Sequence, residues 1–153
     1  MRTIQTCCSS AVSRMRITSG LACEMTEGDW KFTADMPREA GGEGSAPTPG
    51  VLGRAALGSC LAMGYMMQAA RMDVDLTSLE IEIEADYDDG AMFGTSDARP
   101  GYSEVRYTVH VMSAESEETI MRVLDEGDRL SPYRDVFANP APLVRYVRII
   151  EGT

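Results

Sequence analysis

Apolar and acidic residues alternate strictly over Leu79-Glu80-Ile81-Glu82-Ile83-Glu84-Ala85-Asp86-Tyr87, which puts every odd position on one side of an extended chain. The stretch is predicted to be a strand with one buried and one wetted face. Glu104 to Val111 alternates in the same way after a polar, glycine-rich connection from Asp88 to Gly101. The two read as antiparallel partners joined by a long loop. Upstream, Leu21–Met25 and Trp30–Ala34 alternate over shorter runs, and Glu27-Gly28-Asp29 between them has turn chemistry, so a hairpin is expected there. At the other end, Pro140 and Pro142 stop any helix, and Leu143 to Ile149, rich in β-branched residues, is predicted to close the chain as a strand.

Elsewhere the period lengthens. Pro37 to Gly50 is a loop by its glycines and prolines, and it runs into Thr48-Pro49, an N-cap residue followed by a first-turn proline. Almost everything from there to Ala70 is apolar or small, which predicts a long helix buried on all sides. Arg54, Ser59 and Gln68 interrupt it too often for a membrane span. At 100° per residue Gly53, Leu57, Cys60, Gly64, Met67 and Arg71 share one stripe. Each interior glycine costs roughly 1 kcal/mol relative to alanine, so a close approach to the backbone is expected: another helix, the same helix of a second subunit, or a ligand. Ser113 or Ser116 caps a second helix with Glu115, Glu117 and Glu118 in or before its first turn and Ile120, Val123, Leu124, Gly127 and Leu130 on its apolar face. Ser131-Pro132 ends it, and Asp135-Val136-Phe137 allows one further turn. Residues 3–16 read as a weakly amphipathic helix or an arm. The expected organisation is an N-terminal arm or helix over 1–18 and a single α+β domain over 19–153.

Charge narrows the partners. The 153 residues hold 24 acidic against 14 basic side chains, a net −10 with no basic cluster, which excludes nucleic acid and anionic membrane as expected partners. Four cysteines at 7, 8, 23 and 60 show no C-x-x-C spacing, and His110 is the sole histidine, so neither a metal nor another cofactor is expected. Thr3 to Ser13 has no apolar signal-peptide core. The expected location is a reducing cytoplasm.

Cys60 is the one candidate for chemistry, as a thiolate nucleophile or redox centre. Its rival reading is a small buried core residue, because free cysteine is among the most buried residue types. Arg54 is a possible activating cation only across a packed symmetry mate, since on its own helix it points away from Cys60. His110, on the outward face of a strand, is expected to pair with a carboxylate such as Glu82. The acidic row Glu80, Glu82, Glu84 and Asp86 is a solvated sheet face. Met63, Met66, Met67 and Met72 fill core space or line an adaptable apolar pocket.

Taken with the order of elements around them, Pro47-Thr48-Pro49 and Ala56-Leu57-Gly58-Ser59-Cys60-Leu61-Ala62 resemble the OsmC/Ohr family over roughly residues 20 to 150. The resemblance implies an intertwined homodimer of α+β subunits with the central helices buried together and thiol sites at the interface. It also implies reduction of organic hydroperoxides in oxidative stress defence. In that chemistry a first cysteine on the central helix attacks the peroxide, a second cysteine before a proline resolves the sulfenic acid, an arginine and a glutamate tune the first thiol, and dithiols regenerate it.

Position by position, Cys60 stands in the peroxidatic place and Ser131 in the resolving place, where it cannot form a disulfide. Gly50-Val51 replaces the acidic residue usual after the proline, and none of Arg14, Arg16 or Arg38 matches the activating arginine by motif. Three readings follow: a one-cysteine peroxidase rescued by an external thiol; a dimeric relative binding a small hydrophobic molecule beside Gly53, Leu57, Gly64 and Met67; and a structural protein. Cys23 is the thiol best placed to stand in for a resolving cysteine.

Overall fold

The structure, a computed structural model, describes residues 9–150. The chain divides into two compact units, one ending at Gly53 and one beginning at Arg54.

In the first unit, β1 (Arg14–Ser19), β2 (Ala22–Glu27) and β3 (Trp30–Ala34) form an antiparallel sheet in that order. The β2–β3 hairpin is the expected one. It turns at Gly28, whose φ of 55° suits a residue without a Cβ. Met15 and Ile17 pair with Met25 and Cys23, and Phe32 lies opposite Met25, so the apolar positions share one face. On the other face Glu24 takes Lys31 at 2.6 Å and Arg16 at 3.3 Å.

Just past β3 the carboxylate of Asp35, 2% exposed, gathers the following loop. Its oxygens accept from the backbone N–H of Met36 (2.8 Å), Glu43 (3.2 Å) and Ser45 (3.0 Å), and from the Ser45 hydroxyl (2.8 Å). Within this loop Gly42 lies so close to the Met36 carbonyl oxygen that a Cβ would sit 1.9 Å from it. The loop delivers the chain to α1 (Pro49–Met72), whose first turn is capped by Thr48 Oγ1 accepting from Val51 N–H at 3.3 Å.

In the second unit, β4 (Ser78–Asp86) and β5 (Glu104–Met112) pair antiparallel with Ile81 opposite Val109. Their inward residues pack on Leu57, Leu61 and Tyr65 of α1. The outward face is charged, as the alternation predicted. His110 meets Glu82 at 3.5 Å, and Arg106 bridges Asp86 and Glu104 at 2.5 and 2.9 Å. Between the strands, Asp88 caps a short helix α2 (Asp89–Phe93) that composition alone concealed. α3 (Glu117–Leu130) starts at Ser116, whose hydroxyl accepts from Thr119 N–H at 3.2 Å, and α4 (Pro132–Ala138) follows after a single residue.

Three expectations are corrected. Residues 14–16 belong to strand β1, not to a helix or arm, because they pair with Glu24–Thr26; residues 3–8 lie outside the described residues. Leu143–Ile149 is not a strand: it has no ladder partner among the described residues, and Leu143 is 97% and Tyr146 90% exposed. Finally, the chain by itself does not cover α1 on all sides. Leu57, Leu61, Tyr65, Gln68 and Ala69 are buried, whereas Met63, Met66 and Met67 are exposed, because one two-stranded sheet and α3 cover only one side of a cylinder.

Candidate active site

Cys60 sits one and a half turns before Tyr65 on α1 and is half-buried. Opposite it is Ser131, 4% exposed, the single residue between α3 and α4. Pro132 explains the break, since it cannot donate to the preceding turn and is tolerated at the first position of a new helix. The Ser131 hydroxyl oxygen accepts from Arg134 N–H at 3.3 Å as the cap of α4 and lies 3.5 Å from Cys60 Sγ. Among the described residues that hydroxyl is the sole hydrogen-bond partner of the thiol. The two positions that the family resemblance paired are therefore in contact.

A polar cluster fixes the α3–α4 corner. Tyr65 and Tyr107 hydroxyls donate to the two carboxylate oxygens of Asp128 at 2.5 and 2.6 Å, and Arg134 donates to the Tyr107 oxygen at 3.3 Å while pairing with Asp128 at 3.6 Å. Burial first, then the Asp128 carboxylate, push both phenols up. The hydrogen bond to Tyr107 holds the Arg134 guanidinium further into its charged form. Both tyrosines thus stay neutral donors, and helix α1, strand β5 and the two helices meeting at Ser131 are tied to one carboxylate. Nothing in the sequence pattern announced this cluster, because its members are far apart in the chain.

Beside Cys60 runs a groove of about 740 Å³ whose walls include Ala56, Met63, Met67, Leu130 and Pro132. Gly64, Met67 and Arg71 of the predicted stripe line it. Leu57 does not: it is 2% exposed in the core under the sheet. Gly53 belongs to the first unit, with nothing within 4 Å of a Cβ placed on it. Within the chain, the nearest approach to a glycine of α1 is that of β4, where a Cβ on Gly58 would lie 3.3 Å from the Ile83 side chain, and α3 packs beside Gly64. A Cβ on Gly64 would lie 4.0 Å from the Gly127 carbonyl oxygen, and one on Gly127 would lie 2.4 Å from the Tyr65 ring.

The other candidates are engaged elsewhere. Arg54 donates to the Tyr102 hydroxyl at 3.0 Å. Arg16 pairs with Glu24 and Arg38 with Glu43 in the first unit, where Cys23 also lies with its Sγ 3.8 Å from the Glu24 carbonyl oxygen. Cys7 and Cys8 are outside the described residues. Among the described residues no three acidic, cysteine or histidine side chains gather as a metal site, and no helix is long and apolar enough to cross a membrane. Sequence reasoning passed over Gln68, although a polar residue on the rim of an apolar stripe was the available signal.

Fold and site together define an α+β protein with antiparallel sheets and a thiol-bearing groove on its long helix. Residues 42–144 match the family model of OsmC-like proteins, and the chain belongs to that family. Solved structures agree in fold. An OsmC-like protein from Mycoplasma pneumoniae superposes with a TM-score of 0.74 at 13% identity, covering 86% of this chain and 89% of its own. An organic hydroperoxide resistance protein from Legionella pneumophila gives 0.62 at 18% identity, covering 88% and 93%. Another, from Elizabethkingia anophelis with thiocyanate bound, gives 0.65 at 12% identity, covering 89% and 93%. No curated protein matches the chain.

Proposed function

We propose that this protein is a thiol-dependent reductant of organic hydroperoxides that works with one cysteine. The observation that carries the reading is Cys60 Sγ in a largely apolar groove, 3.5 Å from a serine where a second thiol would be required for an internal disulfide. The Cys60 thiolate attacks the distal peroxide oxygen, the O–O bond breaks, and the alkoxide leaves and takes a proton as the alcohol. Cys60 is left as a sulfenic acid. Ser131 cannot displace its hydroxyl, so an external thiol does so, releasing water and forming a mixed disulfide that a second thiol reduces. Membership of the OsmC-like family and the named hydroperoxide resistance proteins among its structural neighbours support this chemistry. The free thiols Cys23 and Cys60 fit a reducing compartment, and the reading places the protein in the cytoplasm.

The same reading makes the protein a homodimer. Met15, Ile17, Trp30 and Phe32 are each at least half exposed, and so are Leu143, Tyr146 and Ile149 near the other end of the chain. Among the described residues no strand lies beside the outer edges of the two sheets. A second copy would cover the apolar faces and pair Leu143–Ile149 as an added strand, the conformation its residues favour.

A second reading, a non-catalytic binder of hydrophobic molecules, is favoured by one observation: among the described residues no arginine or lysine hydrogen-bonds Cys60. Following loss of cumene hydroperoxide with a small monothiol present separates the two. The one-cysteine peroxidase turns over, Cys60→Ser abolishes turnover, and Ser131→Cys gains a disulfide seen as a 2 Da mass loss on oxidation. Equal, negligible turnover in the parent and Cys60→Ser proteins leaves the binding reading standing.

A further inference from the structure

Every hydrogen-bonding group of Ser131 but one is engaged within the α3–α4 corner. Its backbone N–H donates to the Asp128 carbonyl oxygen at 3.3 Å, and its own carbonyl oxygen accepts from Asp135 N–H at 3.1 Å. Its hydroxyl oxygen accepts from Arg134 N–H at 3.3 Å. What is left is the hydroxyl proton, on a residue only 4% exposed. Among the described residues the sole remaining atom within hydrogen-bond reach of that oxygen is Cys60 Sγ at 3.5 Å. A buried hydroxyl without a partner for its proton is costly, so the proton points at the sulfur. A serine in this place is therefore more than a residue that cannot close a disulfide.

The sulfur on the other side of this contact has no cation bonded to it: among the described residues no arginine or lysine hydrogen-bonds Cys60. The charged groups of the corner are engaged with one another. Asp128 of α3 accepts from Tyr65 and Tyr107 and pairs with Arg134 of α4, which in turn donates to Tyr107. A thiolate can only accept, and a hydrogen bond is roughly twice as strong when one partner is charged. The Ser131 proton therefore does most for the sulfur in the form that attacks an electrophile. We propose that Ser131 is a catalytic residue, whose hydroxyl donates to the Cys60 thiolate and holds it as the nucleophile, the part a cation plays where a thiol has one. The corner keeps that donor in place. Asp128 ties the last turn of α3 to α1 and β5, Pro132 opens α4 one residue further on, and Arg134 N–H takes the serine oxygen from the side away from the sulfur's proton. The inference rests on the peroxidase reading for the identity of the electrophile, but not for the hydrogen bond itself.

The test uses the full chain and no peroxide. The Cys60 sulfur displaces iodide from iodoacetamide, and the rate is followed by mass spectrometry of the peptide that carries Cys60. Ser131→Ala, which has no hydroxyl, is alkylated roughly tenfold or more slowly than the parent at about pH 7. Toward about pH 10 the two rates converge, because the sulfur is then ionised with or without a donor. Ser131→Thr retains the hydroxyl and keeps the parent's rate at both pH values. Ser131→Asp retains an oxygen to cap α4 but has no proton to give, and at about pH 7 it is as slow as Ser131→Ala or slower. Far-ultraviolet circular dichroism confirms that the variants fold. Equal rates for the parent and Ser131→Ala at about pH 7, a slowing of the same size at both pH values, or an aspartate variant as fast as the parent overturns the proposal. Turnover of cumene hydroperoxide, measured separately, keeps the two claims apart. A protein without turnover whose alkylation still depends on the Ser131 hydroxyl loses the peroxidase reading and keeps the donor.

Discussion

Asp35 receives four donors on two oxygens and is the most heavily used carboxylate in the first unit. The hydrogen bonds from Ser45, backbone first and then hydroxyl, lead in holding its carboxyl down at about 2. A carboxyl held below its unfolded value stabilises the fold fully above that unfolded value, and the stabilisation disappears as pH falls toward the folded one. The expected window of loss is therefore from about pH 4 down to about pH 2. Urea midpoints measured across that window should fall steeply for the parent and more shallowly for Asp35→Asn, because the amide has no such proton to bind. Identical slopes would show that the loop does not depend on this charge. At the same scale, the sequence exposed Cys60 and its place on a helix face, but not its partner. Ser131 became visible only through a family resemblance and then through a 3.5 Å contact, since nothing periodic links positions 71 residues apart.

Elements with a strong period were legible, and those without one were not. β4, β5 and α3 could be read because one face of each is buried in the same unit, so their patterns record their packing. α2 was missed since its helix is held by the Asp88 cap more than by an apolar face. The glycines on α1 were read as marks of close approach by another helix, a second subunit or a ligand, and within the chain β4 approaches at Gly58 and α3 at Gly64. There the tightest position is Gly127, where a methyl group would stand 2.4 Å from the Tyr65 ring and 3.4 Å from the Tyr65 backbone nitrogen. Gly127→Ala must push α3 off α1 or turn a ring that is 1% exposed and anchored to Asp128. The usual gain from replacing a helical glycine is then reversed, with an expected loss of about 1–3 kcal/mol in chemical denaturation. A stabilised Gly127→Ala protein would mean that the helices separate at no cost.

For the molecule as a whole, the unusual property is how much apolar surface one chain leaves uncovered. β1 and β3 expose Met15, Ile17, Trp30 and Phe32, while Leu143, Val147 and Ile149 lie outside any sheet. If the last of these segments completes a sheet of a second copy, a chain truncated after Pro142 should lose the dimer in sedimentation equilibrium while the full chain keeps it. A truncated protein that remains dimeric would place the contact elsewhere. The sequence by itself determined the alternation of β4 and β5, the capped starts of α1 and α3, the hairpin at Gly28 and the acidic outer face, because each of these is a local pattern whose physics is settled within a few residues. Only the tertiary structure decided that Ser131 meets Cys60, that α3 of the same chain packs on the central helix at Gly64, and that Gln68 and Arg71 line one groove with the thiol. Those facts depend on how helices and strands remote in the chain are packed, and side-chain periodicity carries no information about which element will lie opposite.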